Sequence, residues 1–272
     1  VASIASFAAR AVLSGIKGML DEETKARARG LPGFRHVQHA VNRALFGESL
    51  RELAVAYGST KWGPHGHAAH YERYFAKLRG ARLNLLEIGV GGYGDPRKGG
   101  ESLRMWRTYF PRARIFGIDV CDKRAHDERR IRTFRGSQTD EAFLARVADA
   151  IGTIDIIIED GSGENRDKIR TFELLFPRLA LGGIYVIEQV QTSYWTAVGG
   201  SSVDLDRADT TMGFLKRRTD GLNHAELELP GYAPTYDDRH IVGMHFHHNI
   251  VFIEKGRNDE GSNVITSRRT SA

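Results

Sequence analysis

The spacing of hydrophobic positions changes character along the chain. Leu13, Ile16, Met19 and Leu20 recur at helical spacing, and so do Leu45, Leu50, Leu53 and Ala54 beyond a Gly-Leu-Pro-Gly break at 30–33. Residues 1 to about 56 therefore predict helices. From Leu83 onward, nearly continuous β-branched runs alternate with amphipathic stretches. The pattern predicts strands at 83–88, 115–120, 131–134, 154–159 and 184–188, with helices at 102–110, 141–150 and 167–176 between them. Runs such as Ile-Asp-Ile-Ile-Ile and Ile-Tyr-Val-Ile suit strands covered on both faces. A polar loop is expected over 199–209, a helix near 207–218, and an antiparallel hairpin from Arg239 to Gly256. The architecture expected is α/β: a doubly wound, mostly parallel sheet with a helical N-terminal cap and antiparallel C-terminal edge strands. The divisions follow as a cap and ligand-lining segment at 1–78, the sheet domain at 79–258, and a polar, frayed tail at 259–272, the fraying starting from Asn258.

In an open sheet of this kind, ligands lie outside the carboxyl ends of the strands. The first strand runs through Glu87 into a turn carrying Gly89, Gly91, Gly92 and Gly94. Such a turn lets backbone approach a nucleotide-like ligand without side chains in the way. The spacing is Gly-x-Gly-Gly-x-Gly, and Asp95, Pro96, Arg97 and Lys98 delay the next helix, which is not the dinucleotide pattern. Asp119 closes the second strand, where a carboxylate can accept hydrogen bonds from ribose hydroxyls; a cap or surface charge is the alternative. Ser137 and Gln138 follow the third strand. Glu159 and Asp160 end the fourth, and Glu188 and Gln189 the fifth. Converging oxygen donors at Asp160, Glu188 and Gln189 suit a hard divalent cation such as Mg²⁺, although acidic strand ends are also common without one. His65, His67 and His70 lie too irregularly spaced for a closed metal site, so structural or substrate-lining roles are expected of them.

Composition narrows the partners. The 272 residues carry a formal charge of +5, but thirty of the thirty-nine basic residues are arginine and they are scattered. Without a basic block interleaved with aromatics, a nucleic-acid partner is not expected. Arg10 and Lys17 interrupt the apolar N-terminal run, so a membrane span is not expected either; an amphipathic helix packing on the body or on a second copy is. The one cysteine, Cys121, suits a reducing cytoplasm.

Several segments together resemble one family. They are Tyr-Gly-Ser-Thr-Lys-Trp-Gly at 57–63, His-Tyr-Glu-Arg-Tyr-Phe at 70–75, Leu-Leu-Glu-Ile-Gly-Val-Gly-Gly-Tyr at 85–93, Gly-Gly-Glu-Ser-Leu-Arg-Met-Trp at 99–106, Gly-Ile-Asp-Val at 117–120, Glu-Asp-Gly-Ser at 159–162, the stretch 175–188, Thr-Ser-Tyr-Trp at 192–195 and the stretch 248–258. In this order they resemble the metal-dependent macrolide and sugar O-methyltransferases of the mycinamicin deoxyhexose type, a branch of the class I S-adenosylmethionine (SAM) dependent methyltransferases. The resemblance implies a SAM pocket at Glu87, Gly89, Gly91, Asp119, Ser137 and Gln138, and a divalent metal at Asp160, Glu188 and Gln189 that grips substrate hydroxyls. It implies a small natural-product or saccharide acceptor in bacterial secondary metabolism.

Three motifs depart from the family pattern. Asp-Gly-Ser-His, with the histidine as general base, has Gly163 in the last place. Glu-Asp after the fifth strand has Gln189, and Thr-Asp-Lys-Trp is here Ser-Thr-Lys-Trp. Losing a positioned base removes about 10²- to 10⁴-fold in rate. Three readings stay open: O-methyl transfer with another base (Glu164, His67 or His245, beside Asp160 as a further catalytic residue) or to an acceptor acidic enough to need none, a repurposed donor fold that methylates a better nucleophile or performs metal-free cyclisation or isomerisation, and a non-catalytic binding protein.

Overall fold

The computed structural model describes residues 34–63 and 66–262, so the expected helix over 1–20, the break at 30–33, His65 and the end of the tail lie outside the described residues. Two units are distinguished. One comprises the described residues up to Ala81 together with Arg104–Pro111; the other comprises Arg82–Leu103 and the described residues from Arg112.

The first unit holds α1 (Phe34–Phe46), α2 (Leu50–Tyr57) and α3 (Ala68–Phe75). Ser49 starts α2 by accepting the Glu52 N–H at its hydroxyl. Gly58 ends it in the left-handed conformation, its N–H returned to Ala54 and Val55. The interior is aromatic. Tyr71, Phe75 and Trp106 meet at ring-centroid distances of 4.9–5.9 Å, and Phe110 lies 5.7 Å from Phe75. The Tyr57 hydroxyl and the His39 ring both bond the buried Thr108 hydroxyl.

The second unit is built on seven strands: β1 (Asn84–Ile88), β2 (Arg114–Asp119), β3 (Ile131–Arg135), β4 (Ile154–Glu159), β5 (Leu179–Glu188), β6 (Ile241–His247) and β7 (Ile250–Lys255). Their order is β3-β2-β1-β4-β5-β7-β6. The first five pair in parallel, and β7 and β6 add antiparallel at one edge. The helices between them are α4 (Glu101–Tyr109), whose later residues count with the first unit, α5 (Glu141–Ile151), α6 (Asn165–Leu175), α7 (Thr211–Thr219) and α8 (Tyr236–His240). Leu86, Ile88, Phe116, Ile118, Ile157, Tyr185, Ile187, Val251 and Ile253 form one buried sheet face against Leu144, Val147 and Ile151 of α5, Phe172 and Leu175 of α6, and Phe214 and Leu215 of α7. Strand order reverses between β1 and β4, which places the expected crevice at the exits of those two strands.

Two expectations change. The helix expected near 207–218 begins only at Thr211, because the Thr210 hydroxyl accepts the Gly213 N–H and sets the cap there. Asn258, expected to fray, is anchored: its side-chain amide donates to the carbonyls of Gly221, Leu222 and Asp238, and its N–H to Arg239.

Candidate active site

The turn after β1 is closed by backbone. Gly89 has φ +90°, and a Cβ there would overlap the carbonyl oxygen of Asp160 while lying 3.0 Å from Gly161 Cα. The exits of β1 and β4 thus approach as closely as two main chains can, which only glycine permits. Gly99, at φ +98°, packs against Gly91, and the Gly100 N–H returns to the Val90 carbonyl at 2.8 Å. Residues 90–100 therefore form a closed loop. A buried ammonium holds it from below: Lys123 Nζ donates to the carbonyls of Tyr93, Asp95 and Lys98 at 3.0, 2.8 and 3.1 Å. Asp95 is held below the ordinary carboxylate pKa, first by the Arg97 N–H and then by Lys98, Arg97 and Lys123.

Asp119 ties this loop to β2. Its Oδ2 accepts the Val90 N–H at 3.1 Å and its Oδ1 the Cys121 N–H at 2.8 Å. Each carboxylate oxygen keeps a further lone pair, and the residue is only half-buried. Glu87 is fully buried and accepts the Ser102 hydroxyl at 2.8 Å, joining β1 to the start of α4.

The residues after β3 are arranged differently from expectation. Ser137 is exposed, and its hydroxyl bonds the Thr139 hydroxyl and N–H in the turn before α5. Gln138, expected to meet the donor, is buried and committed to the protein. Its Nε2 donates to Glu159 Oε1 at 2.9 Å and to the Thr171 hydroxyl at 3.0 Å, while its Oε1 accepts the Ser162 N–H at 2.8 Å. The amide is used to hold the loop after β4.

At the exits of β4 and β5, Asp160 and Gln189 meet: Gln189 Nε2 donates to Asp160 Oδ1 at 2.8 Å. Gln189 has φ +55°, a left-handed conformation uncommon outside glycine and asparagine. Glu188, beside it, is buried. Two carboxylates and an amide carbonyl are hard-oxygen donors, so the set fits a divalent cation in kind once the Gln189 amide turns over, because its N–H₂ now faces Asp160. It carries one negative charge fewer than three carboxylates. Among the described residues, no group of three or more His, Cys, Asp and Glu side chains is arranged to hold a metal.

The base candidates lie on different elements. Glu164 occupies the N-cap of α6, four residues beyond Asp160, and its carboxylate makes no hydrogen bond among the described residues. His245 lies on β6, paired through β7 to β5 at the level of Val186, and its Nε2 is 3.2 Å from Glu254 Oε1. That is two strands, about 10 Å, from β5, so the sheet does not bring His245 to the strand exits. His67 is buried at the start of α3 in the first unit. At Gly163 a Cβ would make only an ordinary 3.8 Å contact with Val198, so packing leaves room for a side chain.

Four residues at this site carried no expectation. Lys123, Lys168 and Asn165 lie in stretches whose polar letters look like ordinary surface, and Ser102 sits at a helix start where a serine is commonplace. Asn165 bonds the carbonyls of Thr192 and Val198, the Ser193 hydroxyl and the Thr211 N–H, and so pins the segment 192–198 to α6.

A parallel sheet with a glycine-closed loop after β1, a carboxylate ending β2 and antiparallel edge strands defines the class I methyltransferase fold. No family model matches the sequence. Individual proteins do. The chain is 47% identical over 214 residues to mycinamicin VI 2″-O-methyltransferase of Micromonospora griseorubida, covering 78% of this chain and 54% of that protein. It is 48% identical over 223 residues to 8-demethyl-8-α-L-rhamnosyl tetracenomycin-C 2′-O-methyltransferase of Streptomyces olivaceus, covering 82% and 58%. Among solved structures it resembles MycE methyltransferase from the mycinamycin biosynthetic pathway, in complex with Mg, SAH and mycinamycin VI, at a TM-score of 0.77 and 40% identity over 93% of this chain and 68% of that one. The chain belongs to this family of natural-product sugar O-methyltransferases, and it spans little more than half the length of the curated relatives it matches.

Proposed function

We propose that this protein transfers a methyl group from SAM to a hydroxyl oxygen on the sugar of a bacterial natural product. The observation that carries the reading is the Asp119–Val90–Gly89 arrangement beside the Asp160–Gln189 pair, in a chain whose relatives bear O-methyltransferase names. Those names specify mycinamicin VI and a rhamnosyl tetracenomycin, so the expected acceptor is a deoxyhexose carried by a polyketide. A free cysteine at 121 suits a reducing compartment, and a reaction in the cytoplasm is part of the proposal. Among the described residues, no helix is long and apolar enough to cross a membrane. Self-association is proposed as well, to be read from the mass in solution.

The residues divide the work. Asp119 offers its remaining lone pairs to the ribose hydroxyls of the donor while the Val90 and Cys121 N–H groups fix its orientation. Gly89 and Gly91 let the backbone lie against the donor. Asp160 accepts the hydrogen of the acceptor hydroxyl, with the Gln189 amide holding the carboxylate in place. As the acceptor oxygen forms its bond to the methyl carbon, the sulfur–carbon bond breaks, and the hydroxyl proton passes to a carboxylate of the chain. Asp160 is the acceptor proposed, with Glu164, four residues on, as the other carboxylate. A divalent cation, held by Asp160, Glu188 and Gln189, would supply Lewis-acid polarisation of the hydroxyl when bound. The Gln189–Asp160 hydrogen bond also favours a second reading, in which the repurposed site turns over without metal.

The test is incubation with SAM and a panel containing mycinamicin VI, rhamnosylated aromatic polyketides and their aglycones, with and without EDTA, read by mass spectrometry. Methylated glycoside with S-adenosylhomocysteine (SAH) supports the proposal; turnover of glycosides without SAH transfers the site to the repurposed reading. Methylation confined to aglycones rejects the sugar.

A further inference from the structure

Beneath the strand exits lies a polar network that the reaction above does not use. Lys168 on α6 is fully buried, as is Glu159 at the end of β4, and the two pair at 3.0 Å. The same ammonium donates to the Glu188 carbonyl at 3.0 Å. Glu159 Oε1 accepts from Gln138 Nε2 and lies 3.3 Å from the Gly161 N–H, and the Thr171 hydroxyl bonds both Gln138 and the Asp167 carbonyl. Burial raises the Glu159 pKa, against the opposing pull of Lys168.

Packing alone does not account for this ammonium. Phe172 and Leu175 already seat α6 on the sheet, and a methionine at 168 would fill the place without desolvating a charge, a cost that ion pairing in a protein interior only partly recovers. What Lys168 adds is a link between two strand exits. Its partners are Glu159 and Glu188, the residues immediately before Asp160 and Gln189. The remaining members grip the same loop from the other side, through Gly161 and Ser162. Asp160 and Gln189 are thereby held from beneath, and their side chains meet above at 2.8 Å.

We infer that Lys168 is a positioning residue: by joining Glu159 to the Glu188 carbonyl it sets the separation of the β4 and β5 exits, and with it the Asp160–Gln189 contact. The inference deepens the proposed function and rests on that reading only for its effect on rate.

The test compares the wild type with K168M, and with E159Q/K168M, which removes both buried charges and leaves at position 159 an amide able to bond Gln138 and Gly161. The first readout is the side-chain amide of Gln189 in ¹⁵N correlation spectra, assigned by its disappearance in Q189E. In the wild type it should be shifted and slowly exchanging, and in both variants it should move to the position and exchange of a free amide. The second is SAH titration calorimetry, expected within about threefold of wild type because the Asp119 side of the site is not altered. The third is methyl transfer to mycinamicin VI as probe acceptor, with kcat falling about tenfold to a hundredfold on displacement of the reacting groups. Should K168M fail to fold, the neutral double variant carries the comparison. A Gln189 amide that keeps its wild-type signal in either folded variant overturns the inference. Failure of the wild type to bind SAH would overturn the functional reading and leave the Gln189 measurement standing by itself.

Discussion

Gly89→Ala adds one methyl group at the point where the glycine loop after β1 touches the loop after β4. The Cβ would overlap the Asp160 carbonyl oxygen and lie 2.8 Å from its carbon and 3.0 Å from Gly161 Cα. All three obstacles are backbone, so no rotamer change relieves them. The conformation at φ +90° adds about 1–2 kcal/mol for any residue with a Cβ, and overpacking of this kind adds about 1–3 kcal/mol. A total of about 2–5 kcal/mol is expected, released either as lower stability or as displacement of the Val90–Asp119 contact. If displacement takes half of it, SAH affinity falls by about fivefold to sixtyfold, since 1.4 kcal/mol is one decade. Titration calorimetry with SAH and thermal unfolding of the same sample measure the two shares. Gly94→Ala is the control, because it has open space around the Cβ and no left-handed φ; it should match the wild type in both. A Gly89→Ala protein that binds SAH within threefold of wild type and melts at the wild-type temperature would refute the close-approach argument.

Lys123→Met leaves three loop carbonyls without their shared donor, at about 1 kcal/mol each, so SAH affinity should fall at least tenfold in calorimetry while the circular dichroism of the sheet is kept. Tyr185→Phe removes a hydroxyl that is buried without a hydrogen-bond partner among the described residues, and should raise denaturant stability by about 1 kcal/mol while keeping the ring against Phe172. Burial holds the Tyr185 pKa well above its ordinary value of 10.0. The unfolded chain therefore loses this proton first, and the wild type should lose stability relative to Tyr185→Phe as pH rises above about 10; equal alkaline slopes would contradict the assignment. Gln189→Asp together with Gly163→His replaces the amide facing Asp160 by a third carboxylate and uses the open space beside Val198. It should tighten Mn²⁺ binding about tenfold or more, read by electron paramagnetic resonance, and unchanged binding would remove the metal assignment.

Most of the fold could be read from hydrophobic period. The nearly continuous, β-branched apolar runs at 154–158 and 184–187 suit strands covered on both faces, and the observed β4 and β5 contain them. Element ends were less legible where a single polar side chain decides them, as Thr210 does for α7. The glycine loop after β1 was visible because glycine marks positions that exclude a Cβ, and Gly89 does so against Asp160. The places of Asp160, Glu188 and Gln189 at strand ends could be read because strand-end position follows from strand assignment. What period could not reveal was the direction of a polar side chain. Gln138 points inward to Glu159 although its place in the chain resembles that of a ligand contact, and His245 belongs to an edge strand whose register only the folded hairpin shows. Lys123 and Lys168 are buried by partners 25 to 30 and 9 to 20 residues away, separations at which no local pattern speaks.

The central claim is a SAM pocket built on Gly89 and Asp119. Calorimetric titration of the protein with SAM and then SAH, each with and without Mg²⁺, tests it most directly. Saturable one-site binding of both is predicted, lost in Asp119→Ala, with Mg²⁺ affecting turnover more than donor affinity. An absence of binding by either compound to the folded protein, in both the presence and absence of Mg²⁺, would contradict the account.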